Sequence, residues 1–125
     1  MHLIHVPVSF GELLDKITIL EIKSERISDQ AKLDNIEREL ASLQAAWTPH
    51  PGMDPFSREL KAVNERLWEI EDAIREKERR QEFDEEFVQL ARSVYFENDE
   101  RSRIKRTVNE ALGSVFVEEK SYARY

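Results

Sequence analysis

Residues 13–47, LLDKITILEIKSERISDQAKLDNIERELASLQAAW, place an apolar side chain at almost every third or fourth position. The series runs Leu13, Ile17, Leu20, Ile27, Leu33, Ile36, Leu40, Leu43 and Trp47. An α-helix turns once every 3.6 residues or so, and side chains at this spacing fall on one side of it. A second stretch of the same kind follows over 55–80, with Phe56, Leu60, Val63, Leu67, Ile70 and Ile74. Between them, TPHPGMD at 48–54 holds two prolines and a glycine, which neither helix can absorb. Two apolar-edged arms joined by a short loop predict an antiparallel helical hairpin over residues 9–80. In that pairing Trp47 and Leu43 lie near Phe56 and Leu60, Leu40 near Val63, and Ile36 near Leu67.

The limits of the arms are written in side-chain chemistry. Pro7 disfavours helix at Val6. Ser9, with Glu12 three residues on, forms a capping box that opens the first helix. Asp54-Pro55 places a capping residue before a proline suited to the first helical position. At Ser28-Asp29 the stripe slips, because Leu33 and Ile36 replace the in-register positions 31 and 34. A break or kink is expected there, with Asp29 able to cap a new helix. Ile19 and Ile22 point away from the main seam, so the first helix needs cover on two sides. The second arm supplies one cover; the C-terminal segment or a second subunit supplies the other.

Beyond Arg80, Asp84 is expected to cap a third helix whose apolar face is Phe87, Leu90, Ala91, Val94 and Tyr95, with Phe83 stapled onto Val88. Asn98 is expected to cap a fourth, with Ile104, Val108, Ala111 and Leu112 inward and Gly113 as its stop. Residues 2–8, HLIHVPV, read as extended, and VFV at 115–117 reads as a short strand that pairs with them. The expected fold is therefore mainly α. A single domain over 1–125 holds a long antiparallel helical hairpin, two shorter C-terminal helices within 84–112, and a small two-stranded β ribbon of 2–8 with 115–117.

A chain of 125 residues is long enough to bury a core without a disulfide or metal. It has no cysteine, which removes disulfides, zinc–thiolate sites and thiol nucleophiles. Charged residues make up 36% of it, yet the net charge is only −7, so the charges are mixed as on long solvated helices. Neither residues 1–80 nor 81–125 are basic, which argues against nucleic acid as a partner. Apolar runs are too short to span a membrane and there is no basic-then-apolar leader, so a cytoplasmic protein with no membrane partner is expected. Three glycines form no phosphate loop, and His2, His5 and His50 supply neither a metal set nor a catalytic triad. No cofactor, metal or catalytic residue is assigned.

Two groups of residues carry functional expectations. The run Arg101-Ser-Arg-Ile-Lys-Arg106 reads either as an anion site or as a solvated face balanced by Glu97, Asp99 and Glu100. Arg92, Arg101, Lys105 and Arg106 are its candidate anion-binding residues. On the first helix, Glu12, Asp15, Lys16 and Glu21 read either as acid–base groups or as a salt-bridge network between layers. The run at 76–80 suits the end of a helix, where positive charge opposes the macrodipole. Helices about 40–50 Å long outrun two shorter covering helices. Trp47, Phe56 and Trp68 are accordingly candidate interface residues of a homodimer.

The segments VPVSFGELLDKITILEIKSERI, LWEIEDAIR, FVQLARSVYFEND, IKRTVN and GSVFVEEKSY together resemble a family of small bacterial proteins of unknown function. That resemblance covers nearly the whole chain and implies no activity, substrate or cofactor. Leu14-Asp15 with Leu20, Ile22 and Arg26 is similar to the first helix of the all-helical chorismate mutases. Thr18 stands where their second aspartate is expected, and their later catalytic positions have no match. Two functions remain open: a non-catalytic helical interaction or adaptor protein, homodimeric or with a protein partner, and a protein or enzyme that binds an anionic small molecule such as a phosphate or sugar nucleotide.

Overall fold

Ser9 accepts a hydrogen bond from the Glu12 amide at 3.1 Å, and the chain enters its first helix there. A computed structural model describes residues 2–125. It contains α1 (Phe10–Arg26), α2 (Gln30–Ala46), α3 (Asp54–Arg80) and α4 (Glu85–Leu112). The slip at Ser28-Asp29 is a true break. The Ile27 amide closes α1 on Lys23, and the Asp29 carboxylate accepts from the Lys32 amide at 3.0 Å to open α2. α3 begins at Asp54 with Pro55 in its first turn, one residue earlier than expected, because Met53 occupies the capping position. Gln81, in the left-handed region at φ 56°, ends α3. Asp84 caps α4 by accepting from the Phe87 amide, and Gly113 at φ 63° ends it.

Successive helices alternate in direction. Phe10, at the start of α1, meets Trp47 just past the end of α2, with ring centroids 6.4 Å apart. Asn64 of α3 reaches Asp15 and Thr18, while Glu69 reaches Arg26, so α1 and α3 run parallel. Arg101 of α4 reaches Asp15 and Arg66 of α3 reaches Glu97, so α4 runs against both. α1 is the central helix and packs on all three others; α2 packs on α1 alone. Leu14, Met53, Leu60, Val63, Ile104 and Val108 form the buried core between α1, α3 and α4. Burying each such side chain contributes roughly 1.5–3 kcal/mol.

This arrangement overturns three expectations. The 9–80 hairpin does not form, because α2 and α3 do not pack on each other. α1 and α4 already cover the Leu60–Val63 side of α3, and α2 turns its half-buried stripe to α1 instead. The long antiparallel pair is α3 with α4, of 27 and 28 residues. The two shorter C-terminal helices are one helix. No glycine or proline interrupts 85–112, so Asn98 stays inside the helix despite its capping chemistry. The β ribbon is absent, and the described residues form no strand. The tail instead turns back along α4 through Lys105–Glu118, Arg106–Glu119 and Tyr125–Asp99.

α1 and α4 approach closely at one point. A Cβ built on Gly11 would lie 2.5 Å from the carbonyl oxygen of Lys105. The Gly11 amide donates to Asn109 Oδ1 at 2.7 Å, locking the start of α1 to the last turns of α4. No helix among the described residues is long and apolar enough to cross a membrane.

Candidate functional site

The close approach at Gly11 sets α1 against α4 along a line of charged residues. Asp15, 1% exposed, faces Arg101 and Lys105. It accepts from Arg101 through both carboxylate oxygens, with Nε 2.9 Å from Oδ1. Asn64 of α3 donates to the same Oδ1 at 2.9 Å and to Thr18 Oγ1 at 3.1 Å. The Thr18 hydroxyl in turn donates to the Asp15 carbonyl at 2.8 Å. Asn64 is thus tied to α1 at two points, Asp15 and Thr18.

Lys105 extends this network to the tail. Its side chain is 7% exposed, and its Nζ lies 2.8 Å from Glu12 and 2.7 Å from Glu118. Burial pushes the Lys105 pKa down, but Glu118, Glu12 and Asp15 together hold it above the ordinary lysine value. Arg101 is likewise held above its ordinary value, first by the hydrogen bond to Asp15. The Lys105 hydrogen bond holds Glu118 below the usual glutamate value. Three carboxylates therefore meet two cations, and the network is charge-balanced to within one negative charge.

The depressed Glu118 gives the tail an acid limit. A carboxylate with a lowered folded-state pKa stabilises above its unfolded value, and the contribution is lost as pH falls through the folded one. An NMR titration of Glu118 is expected to show a midpoint below 4.5, with tail resonances moving together with it. A midpoint at the ordinary value would mean that the tail is not held by Lys105.

Above the network lies an open cleft of about 420 Å³ between α1, α3 and α4. Ile19, Ile22, Leu67, Trp68 and Val94 form its apolar walls. Asn64, Asn98 and Arg101 together with Glu71, Asp72 and Arg75 form its polar lining. Arg101 uses Nε and Nη2 on Asp15, which leaves Nη1 without a hydrogen bond among the described residues.

The four candidate anion-binding residues are dispersed. Arg101 and Lys105 meet on Asp15; Arg92 lies over the ring of Phe96, and Arg106 pairs with Glu110 and Glu119. Of the candidate interface residues, Trp47 and Phe56 pack at the edge of the core and Trp68 lines the cleft. Asn64, Asn109 and Gly11 were not singled out by sequence. Asn64 and Asn109 sit at helical spacing among apolar residues, next to Val63 and Val108, and that position is the signal of a buried polar contact. Asn109 Nδ2 is buried with no partner in the structure.

The model of a family of unknown function, DUF6165, matches residues 4–125. The chain belongs to that family. Its match takes in every helix of this DUF6165 chain, together with the tail that reaches Lys105. No curated protein and no solved structure matches it.

Proposed function

We propose that the chain is a non-catalytic helical interaction protein, a homodimer that serves as an adaptor for a protein partner. One observation supports this reading above others: large apolar side chains stand open in two zones. At one end the segments that flank the start of α1 and the end of α4 hold Leu3, Ile4, Val115 and Phe116 exposed, Ile4 to 91% and Val115 to 90%. At the other, Phe83 and Val88 stand open on the far half of the α3–α4 hairpin. Large apolar side chains held open on a folded protein are the material of interaction surfaces. Light scattering over a dilution series is expected to give twice the chain mass at micromolar concentration and above. A single-chain mass throughout would overturn the homodimer.

The Nη1 edge of Arg101 at the cleft favours a second reading, a site for an anionic small molecule. The compensated charge of the network weighs against it, since Asp15 already neutralises Arg101. Thermal unfolding with added phosphate, sugar nucleotides and carboxylic acids separates the two. The interaction reading expects no stabilisation; a stabilisation lost in Arg101→Lys would replace it with the second.

A further inference from the structure

The cleft lies where α1 runs out. Arg26, the last residue of α1, pairs with Glu65 and Glu69 of α3. α3 continues for another eleven residues to Arg80, and α4 approaches from Glu85, so beyond this level the two form an arm with no third helix. The side of the hairpin that α1 covers at its base carries Trp68, Val94, Asn98 and Arg101. At helical spacing the same side continues down α4 through Ala91 and Phe87 to the tip. There Phe83 stacks edge-on against Phe87, with centroids 5.2 Å apart, and remains 55% exposed. That side thus begins under α1, stays half-buried through Ala91 and Phe87, and ends bare at Phe83.

Resting on the homodimer reading, we propose that this bare side is covered by the same arm of a second copy, set antiparallel, with each Phe83–Phe87 tip seated at the Trp68 cleft of the other. The charges of α3 carry the choice of a second copy over any other occupant. A two-fold axis between Arg75 and Glu76 places Asp72 opposite Arg79 of the second copy and Glu71 opposite Arg80. The same axis places Arg75 opposite Glu76 and brings the turn that carries Phe83 to the level of Trp68. Within 71–80, the span over which α3 would overlap its own copy, every charged pair in that register is of opposite sign, and each occurs twice, as an isologous contact requires. Asp72 has no ion-pair partner within the chain among the described residues. Arg75, Arg79 and Arg80 are held only by neighbours on their own helix, in exposed pairs worth little each, so they are free to re-pair across the axis. Two such arms make a four-helix bundle, in which the second copy takes along the arm the place that α1 takes at its base.

The test uses the absence of cysteine. In the full chain carrying Asp72→Cys with Arg79→Cys, the two positions lie about 10 Å apart on one helix, too far for an internal disulfide. Mild oxidation is expected to give a covalent dimer on a non-reducing gel. Asp72→Arg alone and Arg79→Asp alone are each expected to weaken the dimer about tenfold, and the two combined to restore it. Both sites are exposed, and circular dichroism checks that each variant folds. A dimer by mass that neither cross-links nor responds to charge reversal would overturn this face while leaving the homodimer standing. So would Trp68 fluorescence, read in a Trp47→Phe background, equally quenched by acrylamide at low and high protein concentration, which would leave the cleft to a small molecule or another protein. A single-chain mass at all concentrations would overturn the homodimer itself, and this inference with it.

Discussion

Asp15→Ala is expected to destabilise the fold by about 3–5 kcal/mol, the cost of removing one member of a buried ion pair. At this chain length that corresponds to a fall in Tm of roughly 10–20 °C. The size follows from what is left behind. Arg101 would lose both of its hydrogen bonds to Asp15, Lys105 one of its three carboxylates, and Asn64 a carboxylate acceptor. Two cations from one helix would then face α1 with only Glu12 and Glu118 to answer them. Asp15→Asn keeps the shape but not the charge, and is expected to lose less. Denaturant and thermal unfolding of the two variants measure the difference. An Asp15→Ala variant melting within a few degrees of the parent would show that the network adds nothing to stability.

Gly11→Ala is expected to destabilise by about 1–2 kcal/mol, and Gly11→Val by about 3 kcal/mol or more. Helix propensity alone predicts the reverse, since alanine is favoured over glycine inside a helix by about 1 kcal/mol. Packing decides the sign. The added methyl would lie 2.5 Å from the Lys105 carbonyl oxygen and 3.0 Å from Asn109 Oδ1. The carbonyl belongs to the backbone of a helix and cannot swing aside, so α1 and α4 must part. Parting them also stretches the Gly11–Asn109 hydrogen bond and the Asp15–Arg101 contact one turn on. Unfolding free energies of the alanine and valine variants provide the check. An alanine variant more stable than the parent would mean that the helices part at no cost.

The helices themselves were legible because their ends depend on local chemistry. Ser9, Asp29, Asp84 and Gly113 each stand where a short-range hydrogen bond or a positive φ requires them. Pairing was less legible. A stripe on α2 says that one side must be covered and not which neighbour covers it. α1 and α3 both offer apolar sides, and α1 takes α2 because a three-residue turn returns α2 directly onto it. Asn98 misled because a capping residue acts only where the backbone is ready to stop, and nothing between Glu85 and Leu112 stops it. The ribbon misled because β-branched composition outweighed one distant lysine in the reading, whereas in the fold Lys105 holds Glu118 and turns the tail. Asp15, Arg101 and Lys105 were visible as charges on the first and last helices. Their meeting was not, since it depends on the contact at Gly11, ninety-eight residues from Asn109.

α2 holds no fully buried side chain and leans on one neighbour only. Its departure would leave the Leu14–Val108 core whole, so hydrogen exchange along Gln30–Ala46 need not wait for global unfolding. Residues 27–29 are the only covalent link between α2 and the helix it packs on. Local loss of α2 would expose to water the side of the central helix against which it packs, a greasy strip that the intact fold keeps out of reach.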